Sequence, residues 1–157
     1  MLEPKLVKAF VIKARVDKPV LIGQDDKVGR RQLIAITGGE LIGAALPLNG
    51  TVLPDGVDSQ VVRPDGRAEL SARYGVRLDD GRSFYIQNDG IRTVEPEHVE
   101  TVLSGGIAPF EAYYCCTKPE FEIYDDSLSV LKNRLFICHA TRYPDSIQLD
   151  YYMVEIK

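Results

Sequence analysis

Residues 57–90 read VDSQVVRPDGRAELSARYGVRLDDGRSFYIQNDG. Apolar and polar positions alternate along three runs, and Pro64-Asp65-Gly66 and Asp79-Asp80-Gly81 punctuate them. Asp-Gly between alternating runs is a strong short-range hairpin signal, because glycine accepts the positive φ that a tight turn demands. The stretch is therefore expected to form a three-stranded antiparallel meander.

Two registers are open. In the first, Asp65-Gly66 and Asp80-Gly81 are two-residue turns, so Asp58 lies opposite Arg73 and Arg73 opposite Asn88. One face then carries Asp58, Gln60, Glu69, Ser71, Arg73 and Asn88. In the second, each turn is a three-residue loop closed by Gly in the left-handed region. Asp58 then faces Ala72, Ala72 faces Asn88, and the shared face runs Asp58, Gln60, Val62, Ala68, Leu70, Ala72, Tyr74, Val76, Phe84, Ile86, Asn88. Pro64 favours the second register, since proline suits the first turn position. Its shared face is mostly apolar with a few polar groups converging at one end, the make-up of a small-molecule pocket in a barrel mouth. Asp58 and Asn88 share a row in both registers; Arg73 completes it in the first and Tyr74 in the second. A plainer role is also open to both anchors. Asp58 follows a Pro-Asp-Gly turn and Asn88 precedes Asp89-Gly90, and each can serve simply by bonding nearby backbone amides.

Outward from the meander, strands are expected over Leu6–Val16 and Gln32–Ile36, the latter stopping at Thr37-Gly38-Gly39. Residues 17–30 read as a loop with a short apolar insert. Glu95–Ser104 is the best helix candidate, with Pro96 near its start and Gly105-Gly106 after it. At about ten residues it is a connection or lid. Short strands follow over Ala112–Cys116 and Glu120–Tyr124, with a capped turn at Asp126 or Ser127. Arg134–Thr141 and Ser146–Ile156 form a closing hairpin. Short strands at regular spacing with turn signals indicate a single all-β domain over residues 1–157, a closed antiparallel β-barrel of roughly 8–10 strands with one short helix or lid. Closure also hides the strand edges.

Composition narrows the function. The 157 residues carry a net charge of −4 and no concentrated basic face, which argues against a nucleic-acid partner. The longest apolar run falls far short of the ~20 residues of a membrane span, and no signal peptide is read, so no membrane partner is expected. Three cysteines, two of them adjacent, do not form a disulfide framework. They are read as buried thiols in a reducing cytoplasm. Adjacent strand cysteines point to opposite faces and do not chelate one metal easily. No metal site, phosphate loop or nucleophile triad is recognisable, so neither a metal nor a cofactor is expected. Of the two histidines, His98 falls among carboxylates on the helix candidate and reads as exposed. His139, in the alternation Leu135, Ile137, His139, Thr141, reads as a core histidine.

The stretch Gly38–Gly90 resembles the signature of the domain of unknown function 3237 family of small β-barrel proteins. The resemblance lies in Gly38-Gly39, Gly43, the Pro54–Asp58 segment, the Arg63–Gly66 turn, Ala72–Tyr74, Asp80-Gly81 and Asn88–Gly90. Leu131–Phe136, around Asn133, resembles a later segment of the same family. Asp55 stands where the family usually has Gly, and Ser59 where it often has Trp beside Asp58. That second difference is expected to enlarge or rewet the surroundings of Asp58. The resemblance implies an antiparallel barrel similar to the allene oxide cyclase type, self-associating into a homo-oligomer.

The resulting expectation is a cofactor-independent acid/base enzyme acting on a small organic molecule beside a carbonyl, as an isomerase, cyclase or lyase. Asp58, desolvated in an apolar barrel, is the candidate base or acid. Asn88, with Arg73 or Tyr74, would polarise a carbonyl or hold an enolate. Gln60, Glu69, Phe84, Tyr85, Ile86, Asn133 and His139 are the candidate ligand contacts. The rival is a non-catalytic barrel that carries a small lipophilic ligand.

Overall fold

A computed structural model describes all 157 residues, and its organising element is the meander. Strands β5 (Gly56–Val62), β6 (Ala68–Leu78) and β7 (Ser83–Val94) pair in the second register, with Asp58 opposite Ala72 and Ala72 opposite Asn88. Gly66 at φ +89 and Gly81 at φ +94 close the two three-residue loops, as the turn chemistry requires.

The rest of the chain wraps this sheet into a closed antiparallel barrel. β1 (Pro4–Val16) pairs with β10 (Ser146–Ile156) along one edge and with β3 (Gly29–Gly43) along the other, which shuts the cylinder. From β10 the path continues through β9 (Phe136–Arg142) and β8 (Tyr113–Ile123) to β7. β4 (Gly50–Val52) and β5 together fill the single slot between β3 and β6, because both pair with those two strands. The kink between them falls at Asp55, the one non-glycine residue with positive φ, at 73°. A glycine would be unstrained at this position, whereas a β-carbon is disfavoured in that region.

β3 runs on through Gly38 and Gly39, where a stop was expected. Gly39 has φ +144, and a β-carbon on it would stand 2.2 Å from the Lys13 carbonyl oxygen. The glycines therefore let β3 pass β1 at close range and carry the strand onward. Residues 17–30 likewise hold more than a loop: β2 (Val20–Asp25) folds back on β3 as an edge strand whose residues are all exposed. The two short strands expected near Cys115 and Phe121 are one continuous β8. The helix candidate is a 3-10 turn at Pro96–His98 followed by α1 (Val99–Leu103). No helix is long and apolar enough to cross a membrane.

Period-two alternation sends one face of each strand inward. One end of the lumen is solid. Phe10 stacks on Tyr151 at 4.7 Å between ring centroids, and Phe121 packs edge-on against Phe136 at 5.0 Å. Phe84 and Ile86 are fully buried in the same core, and the 3-10 turn Asp126–Leu131 adds Leu128 and Leu131. The other end is not filled.

Candidate active site at the open end of the barrel

The unfilled end holds a cavity of about 120 Å³, lined by 24 residues of which 14 are hydrophobic. Its wall comes from the inward faces of eight strands, and its cover from Val102, Gly105, Gly106 and Ala108 in the connection between β7 and β8. Volume of this order accommodates a small organic molecule: a cavity of ~150 Å³ takes a benzene ring.

Polar side chains form two hydrogen-bonded rows that reach the wall. In the first, Arg30 Nε donates to Gln32 Oε1 at 3.1 Å, and Gln32 Nε2 donates to Gln60 Oε1 at 2.8 Å. Gln60 Nε2 then donates to Asp58 Oδ2 at 2.7 Å. A guanidinium can only donate, so Arg30 fixes the orientation of both amides and obliges the last member to accept. The other carboxylate oxygen of Asp58 accepts the Ser71 backbone N–H at 3.2 Å. Asp58 thus bonds an amide of the neighbouring strand, not one of its own turn. Burial raises the Asp58 pKa above the usual carboxylate value; the bonds from Gln60 and Ser71 and the charge of Arg92 oppose the rise without cancelling it.

The second row starts at Asn88, whose Nδ2 donates to the Tyr151 hydroxyl at 3.4 Å. Tyr151 and Tyr74 share a hydrogen bond of 2.5 Å. Burial holds both phenols well above their usual pKa, so both stay protonated. Asn88 Oδ1 is buried with no partner.

Asp58, Gln60, Tyr74 and Asn88 all face the cavity. Other expected site residues do not. Arg73 points outward and pairs with Asp89 at 2.9 Å, because the three-residue turns put odd-numbered β6 residues on the outer face. Glu69 is outside for the same reason, bound by Arg63 at 2.5 Å. Tyr85 also falls on the outer face, while Phe84 and Ile86 are inward but belong to the packed end. Asn133 is exposed beyond the turn that plugs that end. His139 is exposed too, 4.0 Å from Asp150. The inward residues of β9 are Phe136, Cys138, Ala140 and Arg142, one step out of phase with the expected set. Ser59 faces away from Asp58, accepts from Arg31 at 2.9 Å and does not line the cavity, so it does not rewet the surroundings of Asp58 as expected.

Sequence reasoning missed Gln32, Arg92, Tyr113, Cys115 and Arg142, all on the cavity wall. Arg92 was within reach. The alternation Phe84, Ile86, Asn88 continues through Gly90 to Arg92 once β7 is allowed past Gly90. That glycine belongs to the strand because a β-carbon there would meet Thr117 Cα at 2.4 Å. Cys115 is no ready nucleophile, its thiol being pushed up to about 12 by burial. Outside the cavity, at the start of the cover, Glu95, Glu97 and His98 bring one ligand atom each within 4.8 Å of one another.

Fold and site define a small closed antiparallel barrel, packed at one end and hollow and polar-floored at the other. The chain belongs to the family described as Protein of unknown function (DUF3237), whose model matches residues 4–154. It is 52% identical over 147 residues to a UPF0311 protein of Clostridium acetobutylicum, covering 94% of this chain and 92% of that one. A crystal structure of a protein of unknown function from the same organism superposes with a TM-score of 0.90 at 50% identity over 98% of both chains. An enzyme from Penicillium herquei shares the fold at 17% identity, with a TM-score of 0.71 over 97% of this chain and 95% of that one.

Proposed function

We propose that the open end of the barrel is the active site of a cofactor-independent acid/base enzyme, an isomerase, cyclase or lyase working next to a carbonyl of a small organic molecule. The observation that carries this reading is that the two rows end in opposite chemistry on one cavity. The Arg30–Gln32–Gln60 row ends on an acceptor, the Asp58 carboxylate. In the other row, Asn88 donates to Tyr151, and Tyr151 and Tyr74 share a short hydrogen bond in which either hydroxyl can donate. We assign Tyr151 as the donor, which leaves the Tyr74 O–H free to donate into the cavity. Asp58, with its pKa raised by burial, removes a proton beside the carbonyl and returns it elsewhere on the substrate. Tyr74 holds its own proton and donates a hydrogen bond to the oxygen that becomes an enolate. The Penicillium herquei protein supports only the point that this fold can host catalysis, since fold does not fix function.

The test is solvent-deuterium uptake at carbon next to the carbonyl across a panel of small ketones and keto acids, followed by NMR. Wild-type protein is expected to speed uptake for at least one member, and Asp58→Asn to slow it about 10²–10⁴-fold. Uptake unaffected by Asp58→Asn would overturn the assignment. The mostly apolar wall also suits a carrier of small lipophilic molecules; in that case a ligand binds, no exchange occurs, and Asp58→Asn lowers affinity alone.

Two further expectations belong to the same proposal. The exposed Val20, Leu21 and Ile22 on edge strand β2 form the surface through which the chain self-associates, which sedimentation of a Leu21→Lys variant would test. The three free thiols, two of them buried, suit a reducing compartment such as the cytoplasm.

A further inference from the structure

The cavity carries more positive charge than the acid/base reading uses. Its wall holds one carboxylate, Asp58, against two guanidiniums, Arg92 and Arg142. Neither arginine has a carboxylate within 4.0 Å, although seven lysines and arginines elsewhere in the chain do. Arg92 spends one donor, Nη1, on Gln60 Oε1 at 3.4 Å. Its Nε is buried with no partner, and Nη2 makes no bond within the chain. Nε and Nη2 lie on the same edge of a guanidinium and form the fork that takes a carboxylate through two parallel hydrogen bonds.

The surroundings bury the Arg92 guanidinium and leave Arg142 half-buried beside it. Arg92 sits opposite Cys115 on β8, and Arg142 ends β9 opposite Ile147. The Tyr113 hydroxyl accepts the Arg142 backbone N–H at 3.1 Å, tying that corner of the wall to β8. The groups facing Arg92 are Asp58, Cys115, Tyr113 and Arg142, and those facing Arg142 are Arg92 and Asp145. Burial lowers the pKa of both guanidiniums, and the charge of Arg92 further disfavours that of Arg142. Two like charges held together with unused donors are costly until an anion arrives.

We infer that Arg92, assisted by Arg142, anchors the carboxylate of a small organic acid whose apolar body extends along Leu70, Ala72 and Leu149 toward Asp58 and Tyr74. This rests on the acid/base reading for the chemistry at the far end of the molecule. The substrate class is thereby a carbonyl-bearing carboxylic acid of roughly single-ring size.

Benzoate and its neutral isostere benzamide are the probes, titrated into ¹⁵N-arginine-labelled protein. Benzoate is expected to bind saturably at millimolar concentration, move the Arg92 guanidinium resonances, and bind at least tenfold more tightly than benzamide. Arg92→Gln is expected to lower benzoate affinity tenfold or more, with Arg92→Lys retaining part of it. Should Arg92→Gln fail to fold, Arg142→Gln is expected to weaken benzoate severalfold. Equal affinity for the two probes, benzoate binding that leaves the Arg92 resonances unmoved, or no saturable benzoate binding would overturn the anchor. Asp58→Asn separates the two claims. It removes a negative charge from the cavity and should leave benzoate binding unchanged or tighter while abolishing deuterium exchange. Loss of the anchor with Asp58-dependent exchange of neutral ketones intact would leave the acid/base reading standing.

Discussion

Replacing Asp58 by Asn tests the geometry and the ionisation of the cavity floor together. The carboxylate accepts from two donors, Gln60 Nε2 and the Ser71 backbone N–H. Asparagine offers one oxygen and one NH₂, so one of those donors meets another donor. Gln60 cannot relieve the clash by turning its amide over, because Gln32 donates to its oxygen and Arg30 locks Gln32. One buried donor without a partner costs about 1–3 kcal/mol. At about 2–4 °C per kcal/mol for a domain of this size, the variant should melt roughly 2–12 °C below wild type near pH 4. The gap should then shrink as pH rises. Asp58 holds its proton more tightly folded than unfolded. Its ionisation therefore weakens the wild-type fold: the contribution is fully present below the unfolded-state pKa and is lost as pH rises through the folded-state pKa. The variant has no such loss. Calorimetry of both proteins from about pH 4, near the ordinary carboxylate pKa, to about pH 8 reads this directly. A gap that stays constant or widens with pH would refute the raised pKa, and no gap near pH 4 would refute the buried acceptor.

Three more outcomes follow from the fold. Arg73→Ala breaks a partly exposed ion pair with Asp89 and a hydrogen bond to the Ala72 carbonyl, so melting should change by no more than about 1 kcal/mol equivalent, and the rate of Asp58-dependent exchange should not change. Asp55→Gly relieves the positive φ at the β4–β5 kink and should raise stability by up to about 1 kcal/mol in denaturant titration; a loss of stability would mean that Asp55 contributes more than its backbone angle. Gly39→Ala drives a β-carbon into the Lys13 carbonyl at the β1–β3 contact. A loss of at least about 3 kcal/mol, or failure to accumulate as folded protein, is expected; near wild-type stability would contradict the close approach.

How much was legible in sequence differs by level. Turn chemistry is local, so Pro64, Gly66 and Gly81 favour the register that the structure adopts, while the competing register keeps Arg73 as a candidate beside Tyr74 until the pairing is seen. Phase was harder where no turn pinned it: β9 has a mixed alternation, and a one-residue slip exchanged His139 for Cys138 and Ala140 as inward residues. The glycines at 38, 39 and 90 were read as stops because Gly ends strands when only local propensity counts. Here Gly39 and Gly90 are each required by a neighbouring backbone that lies far away in sequence, and a β-carbon on Gly38 would meet the Arg15 side chain. Arg92 and Arg142 reach the cavity from β7 and β9, the two strands that flank β8, so their meeting depends on two strand pairings and not on one turn.

The most direct measurement on the central claim needs no substrate. The side-chain carboxyl carbon of Asp58, assigned in ¹³C-aspartate-labelled protein by its absence from Asp58→Asn, can be titrated by NMR beside every other aspartate in the chain. Asp58 should titrate well above Asp80, Asp89 and Asp125, which hydrogen bonds to Arg82, Arg73 and Ser127 hold below the usual value. Titration of Asp58 at or below the ordinary aspartate value would mean a solvated or fully paired carboxylate, and a barrel mouth without a proton to move.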